Sequence, residues 1–391
     1  EDVQEITVLD DHTVSFRLAE PNAAFLEYMT MAILPQHLLE GEDMQESAFF
    51  RAPVGTGPYK LESWDAGQSI VLVRNEDYFL GAPNIERVIF KIVPDDNAQA
   101  MQLESGEIDL ALLDPENERS KTYEINHAMG GSVVVNEQIA KMLRTAQTVS
   151  ERSDGALDLT TYPLSKLWGF IDQNYRVPSD AEIERLLPCV DMSKVQLSST
   201  DDSANSLVTM PADLSLSFGA VAKGCASDYA IQAMRAAGVT SGVVSLGGNV
   251  QTLGKKPDGS DWNIAVQDPN DTGSYLGYLT VGETAVITSG SYQRFFTEGG
   301  QKYHHILSPK TGRPVNNGLL SVTIVCEDGT LADCLSTAMF VLGPQAALNY
   351  WRTYGGFEMV LVKSDGHVIL TNGLYGKFTP NGDNYVVQYE S

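Results

Sequence analysis

The segment TLADCLSTAMFVLG (Thr330–Gly343) limits the fold more than any other stretch of this chain. Its apolar run after a polar first turn marks a core helix, which other elements must enclose. Thr330 and Asp333 have the T-x-x-D spacing of a capping box, and on that reading Asp333 only starts the helix. Asp333 and Thr337 are also four apart, which puts both oxygens on one helical face. A carboxylate and a hydroxyl so placed suit a hard cation such as Mg²⁺, and a helix start favours phosphate. On this segment alone both readings stay open.

Three further motifs accompany it: SFGAVAKGCASD (Ser217–Asp228), SLGGN (Ser245–Asn249), and TSGSYQRFF with YHHILSPKTGRPV (Thr288–Val315). Gly219, Ala220, Ala222 and Gly224 are small enough for backbone to approach a bulky ligand, or simply to pack. Lys223 stands at a predicted helix start, where its charge and exposed N–H groups suit a pyrophosphate. SLGGN ends a strand in a Gly-Gly turn, and DGALD (Asp154–Asp158) is a turn into the next element. TSGSYQRFF and YHHILSP read as two strands joined at Glu298-Gly299-Gly300. His304 and His305 are adjacent, so in a strand they face opposite ways and only one can face a site.

At 391 residues the chain has room for two or three domains, and 43% hydrophobic with 20% charged residues fits a globular protein. Glu27 and Pro35 break the longest apolar runs, so none reaches a membrane span. The net charge of −25 argues against a nucleic acid or an anionic membrane as partner. Residues 1–117 carry 23 acidic and 6 basic side chains, whereas residues 118–391 carry 28 and 20. So sharp a break indicates two segments of different origin. Cys189, Cys225, Cys326 and Cys334 show no CxxC spacing, and Cys225 and Cys334 fall in apolar helical patterns as buried thiols. The chain starts at Glu1 without a basic-plus-apolar leader, as expected of a processed protein or a fragment.

Residues 1–117 alternate strands and short helices: TVSFRL (Thr13–Leu18), a Pro53–Trp64 and Gln68–Asn75 hairpin, a strand at Ile85–Pro94, then a short helix, a Gly106 turn and a strand over 97–112. Beyond them, helices are predicted at Asn136–Ser153 with Asn136 as cap, at Ser179–Leu187, and at Lys223–Ala237 closed by Gly238. Thr330–Leu342 and Pro344–Thr353 complete the helices, with strands and Gly/Asn/Asp turns between.

The words TVSFRLAEPNAAFLEYM, AILPQHLL, PVGTGPYKLESWDAGQSIVLVRNEDYF and LESGEIDLAL, in that order, resemble a middle slice of the family 5 extracellular solute-binding proteins, the oligopeptide and nickel type. Such receptors close two lobes on a ligand, so ligand binding by this slice is not expected. From SKTYEINHA (Ser120–Ala128) onward, the four motifs together resemble the FAD:protein FMN transferases, the ApbE-like family. The implied fold is α+β: ApbE-like (T-fold-like) antiparallel sheets with helices over residues 118–391. A partial α/β solute-binding segment over residues 1–117 stands where the family's usual first strand and helix would be.

By that resemblance Asp333 and Thr337 bind Mg²⁺ with the Ala220 carbonyl, while Ser217, Lys223 and Leu307 contact FAD. Ala156, Leu157 and Asp158 pack beside the flavin nucleotide. The resemblance selects His305 rather than His304 as the catalytic base, for which a pKa near neutrality would be apt. The implied reaction is attack by a Thr or Ser hydroxyl of a target flavoprotein on the FMN-side phosphorus of FAD, with AMP leaving and Mg²⁺ neutralising charge. The target is expected to be an exported or membrane-associated redox subunit, which places the protein outside the cytoplasm. Two other functions remain: a non-catalytic flavin or FAD carrier, and a remnant of an ABC-transporter receptor for peptide or nickel. AMP release from FAD separates the enzyme from the carrier.

Overall fold

The computed structural model describes residues 3–10, 13–19, 35–41, 47–65, 69–83, 86–91, 113–200, 205–382 and 385–391. The chain divides into two compact units, Glu1–Asp95 and Asp96–Ser391. In the first, β1 (Val3–Asp10) and β2 (Thr13–Leu18) form an antiparallel ribbon. There β3 (Tyr59–Asp65), β4 (Ser69–Arg74) and β5 (Arg87–Lys91) form an antiparallel sheet, the expected hairpin included. The elements expected over 97–112 lie outside the described residues.

Along the second unit, α1 (Lys121–Asn126) leads to β6 (Ser132–Asn136), α2 (Glu137–Arg152), α3 (Tyr162–Leu167), α4 (Asp180–Leu186), β7 (Gln196–Ser199), β8 (Asn205–Thr209) and α5 (Ala222–Ala236). Strands β9 (Gly242–Leu246), β10 (Asn249–Leu253), β11 (Trp262–Gln267), β12 (Tyr275–Val281) and β13 (Ala285–Gly290) follow. Then come β14 (Phe295–Glu298), β15 (Gln301–His304), β16 (Leu319–Cys326), α6 (Gly329–Leu342) and α7 (Pro344–Tyr354). Strands β17 (Glu358–Lys363), β18 (His367–Thr371), β19 (Phe378–Pro380) and β20 (Val386–Glu390) end the chain.

The main sheet runs β20-β18-β17-β16-β13-β10-β9, antiparallel except where β18 meets β20. Strand alternation makes it the middle of three layers. Ala285, Ile287, Met359 and Leu361 join a core with Leu143 of α2 and Phe340 of α6, whereas Val286, Val360 and Val362 join another with β11, β12 and β19. Both faces are covered, which is why these strands read as nearly continuous apolar runs. This is the α+β architecture expected from the sequence.

Local signals set most helix ends. Asn136 caps α2 by accepting from the Ile139 N–H at 3.1 Å, and Ser179 with Glu182 forms a capping box on α4. Gly238 follows α5 at φ +81°, the left-handed conformation that ends a helix. The start of α6 differs from the T-x-x-D reading. Its cap is Asp328, which accepts from the Leu331 N–H at 2.8 Å, so Thr330 is already inside the first turn. Thr330 turns its hydroxyl to Asp228 instead, 2.5 Å away. All four cysteines are free, Cys225, Cys326 and Cys334 being buried. Among the described residues no helix is long and apolar enough to cross a membrane.

Phe340 has no exposed surface, whereas Phe295 keeps 44% of its own. Phe340→Ala should therefore cost about 3–5 kcal/mol in urea denaturation. Phe295→Ala should stay within roughly 0.5 kcal/mol of the parent. Equal losses would contradict this placement of the core.

Candidate active site

A cavity of about 470 Å³ opens in the second unit, a size suited to a small-molecule ligand. Every residue nominated from the sequence lines it. Ala156, Leu157 and Asp158 come from the turn after α2, and Ser217, Ala220 and Lys223 from the approach to α5. His305 and Leu307 follow β15, and Asp333 and Thr337 sit on α6.

The turn after α2 reverses through Asp154 at φ +53° and Gly155 at φ +74°. Asp158 then anchors the loop. Its carboxylate accepts from the Thr160 N–H at 2.8 Å, the Thr160 hydroxyl at 2.5 Å and the Met192 N–H at 2.9 Å. Burial pushes its carboxyl above the ordinary range despite these bonds. Ser217 ties the second loop to the first through its N–H on the Leu159 carbonyl, 3.0 Å away. The small residues of GAVAKG divide by role. A Cβ at Gly219 would meet only the Ser217 Oγ at 3.6 Å, so that backbone is open to a ligand. A Cβ at Gly224 would overlap the Gly329 carbonyl oxygen and lie 2.7 Å from the Asp333 Cβ. Gly224 therefore serves helix contact rather than ligand approach.

Asp333 is only 4% exposed. Its carboxylate accepts from the Gly224 N–H at 2.9 Å and the Asn249 side-chain amide at 3.2 Å, and among the described residues it has no ion-pair partner. Burial raises its pKa, while the Gly224 N–H and the Lys223 charge act the other way. Thr337 Oγ1 lies 3.3 Å from Ser289 Oγ, which is 2.8 Å from Ser336 Oγ. Among the described residues no three His, Cys, Asp or Glu side chains cluster as a metal site. One carboxylate with a hydroxyl and a carbonyl is instead the sparse oxygen set that Mg²⁺ accepts when water and phosphate complete its shell. A buried carboxylate held by neutral donors alone leaves room for that charge, so the residues present fit the ion.

The two histidines differ in what they have left to offer. His304 Nε2 donates to the Val315 carbonyl at 2.8 Å and Nδ1 accepts from the Ile306 N–H at 3.3 Å, so both nitrogens are spent. His305 Nδ1 lies 3.1 Å from the Arg294 carbonyl, which can only accept. That assigns the proton to Nδ1 and leaves the Nε2 lone pair available. Burial, seconded by the Arg294, His304 and Lys223 charges, pushes His305 down to about 4, against the near-neutral pKa expected from sequence. It is a neutral imidazole at pH 7. The strand reading of this region also changes: Thr288–Gly290 belong to β13 of the main sheet, and only β14 pairs with β15 around Gly299-Gly300. His305 lies just beyond that hairpin.

Two participants escaped the sequence reading. Arg294 lines the cavity while its guanidinium donates to the Phe170 carbonyl, its only advance signal being a cation inside TSGSYQRFF. Asn249, the last letter of SLGGN, holds Asp333 across 84 positions of sequence, a contact that no spacing announces.

Residues 88–361 match the model of the ApbE family, and residues 1–138 that of the bacterial extracellular solute-binding proteins, family 5 middle; the two overlap across 88–138. A FAD:protein FMN transferase of Klebsiella pneumoniae is 31% identical over 278 residues, covering 71% of this chain and 85% of its own. One of Treponema pallidum is 31% identical over 261 residues, covering 63% and 72%. Among solved structures, the ApbE protein of Thermotoga maritima superposes with a TM-score of 0.64 at 29% identity, covering 82% of this chain and 99% of its own. The apo flavinyl transferase ApbE of Pseudomonas stutzeri does so at 0.59 and 26%, covering 83% and 98%. With a family match across most of its length and a cavity that gathers every nominated residue, this chain belongs to the ApbE family of flavin transferases.

Proposed function

We propose that the chain is an Mg²⁺-dependent FAD:protein FMN transferase acting on a Thr or Ser hydroxyl of a target flavoprotein, by its family an exported or membrane-associated redox subunit. The observation that supports this most is the convergence in one cavity of Lys223, a neutral His305 and a buried Asp333 that has no ion-pair partner among the described residues. Every residue lining that cavity lies in Asp96–Ser391, so residues 1–117 are proposed to take no part in the chemistry.

The acceptor oxygen bonds to the FMN-side phosphorus, the pyrophosphate P–O bond breaks and AMP carries away the electron pair. Mg²⁺, held by Asp333, Thr337 and the Ala220 carbonyl, would neutralise the phosphate charge and ease departure of AMP. Lys223 lines the cavity near the start of α5, where its charge favours a phosphate. His305 takes the hydroxyl proton on Nε2, oriented by its bond to the Arg294 carbonyl. Most of the work is positioning and charge placement.

Incubating the full chain with FAD, Mg²⁺ and an acceptor flavoprotein should release AMP and leave FMN covalently on the acceptor. FAD binding with no AMP release would make the chain a carrier. Asp333→Ala should slow AMP release about 100-fold or more, since a metal ion supplies several kcal/mol of charge stabilisation. A parental rate in that variant would refute the metal assignment.

His305→Ala should lower the transfer rate by roughly 10²–10⁴-fold with FAD binding kept. His304→Ala should chiefly lower the melting temperature, because both its nitrogens and its ring serve the fold. Similar rates for the two variants would remove His305 from the mechanism.

His305 also fixes a pH dependence of stability. Its folded pKa of about 4 lies below the ordinary 6.5, so on acidification the unfolded chain takes up the proton first. Its contribution is complete above pH 6.5 and is lost as the pH falls toward 4. Urea midpoints of the parent should drop across that window by more than those of His305→Asn. Parallel curves would show that the imidazole is not desolvated.

A further inference from the structure

Asp228 belongs to no part of the proposed mechanism, yet it is the most heavily coordinated carboxylate described in the molecule. Its Oδ1 accepts from the Gly329 N–H at 2.7 Å and the Gln251 amide at 3.0 Å. Its Oδ2 accepts from the Thr330 N–H at 3.0 Å, the Thr330 hydroxyl at 2.5 Å and the Lys141 ammonium at 2.9 Å. Gly329 and Thr330 open α6, and their N–H groups are among those a helix start leaves without internal partners.

The surroundings repeat as two rungs. On α5, Gly224 and Asp228 are four apart; on α6, so are Gly329 and Asp333. The helices exchange these groups: Gly224 N–H binds Asp333, and Asp228 binds Gly329 N–H. On β10, Asn249 and Gln251 are two apart and so share a face. Asn249 donates to Asp333 and Gln251 to Asp228. Among the described residues each carboxamide leaves its own buried carbonyl oxygen without a partner. Flipping either would set oxygen against carboxylate oxygen, so that cost is tied to placing the two acids. One rung is closed, its acid meeting five donors including an ammonium. The other is open, its acid meeting two neutral donors and facing the cavity.

We propose that Asp228 is a positioning residue: by clamping the first turn of α6 it holds the Asp333 carboxylate, one turn further on, where the divalent cation binds. The proposal rests on the magnesium reading of Asp333 given above.

The full chain with FAD, titrated with Mn²⁺ by electron paramagnetic resonance and competed with Mg²⁺, tests it without requiring turnover. Asp228→Asn places an NH₂ group among donors and should weaken Mn²⁺ binding ~10–100-fold, the range for groups that orient a metal ligand. The Mg²⁺ concentration for half-maximal AMP release should rise by the same factor, with less change in the rate at saturating Mg²⁺. Gln251→Leu removes one donor from Asp228 and should show a smaller loss of the same kind. It decides the matter if circular dichroism shows that Asp228→Asn does not fold. Asp333→Ala separates the two ideas. If it binds Mn²⁺ as the parent does, the magnesium reading falls and the proposal with it. If it loses the ion while folded Asp228→Asn, or Gln251→Leu in its stead, binds at parental affinity, positioning alone is refuted.

Discussion

Where α5 and α6 cross, the backbones at Gly224 and Gly329 come so close that neither position has room for a side chain. A Cβ on Gly329 would lie 2.8 Å from the Gly224 carbonyl oxygen and 2.9 Å from Asp228 Oδ1. This approach lets an N–H of each helix reach a carboxylate of the other, and so makes room for two buried acids. It also aligns the start of α5, which presents Lys223, with the turn of α6 that presents Asp333. The Lys223 and Asp333 sides of the cavity are thus one packing decision seen from two directions. Any residue larger than glycine at either position would push both away from their partners.

The electrostatics follow from that crossing. A buried carboxylate is tolerated only when it is bonded or neutralised. Asp228 meets the requirement within the protein. Asp333 meets it only in part, and its pKa rises accordingly. Around it stand Lys223, half-buried, and a histidine whose proton has been driven off by burial and neighbouring cations.

What the sequence disclosed depended on whether the cause was local. Asn136, Gly238 and the Gly247-Gly248 turn act through atoms within a few residues, and each was readable. At the start of α6 the T-x-x-D box was one of two readings left open, and Asp328 takes the helix end in place of Thr330. The winner was decided by Asp228, roughly a hundred positions earlier in the chain. The site residues were nominated by family resemblance, and all of them line the cavity. Its supports were not legible. Gly224 could equally face a ligand or pack, Asn249 looked like a turn residue, Arg294 like one strand residue among several, and the His305 pKa could not be judged before its burial was known.

The two halves of the cavity rest on different cores. Ala332, Cys334, Leu335 and Phe340 fix α6 in the main core, so Asp333 stands on the most enclosed helix of the unit. Leu307, two residues past His305, packs instead with Leu164, Trp168, Phe170 and Ile183 in a small satellite cluster. That cluster is held by the Trp168 indole N–H on the Gly312 carbonyl at 2.8 Å and by Arg294 on the Phe170 carbonyl. Tyr175, Phe296 and Tyr303 extend it outward as stacked rings, 5.3 Å between successive centroids. A small cluster of this kind opens locally at lower free energy than a core enclosing a central helix. Asp333 therefore sits on the stiff side of the cavity. His305 sits on the side better able to adjust, a division that suits the proposed pairing of one fixed small substrate with one large, variable partner.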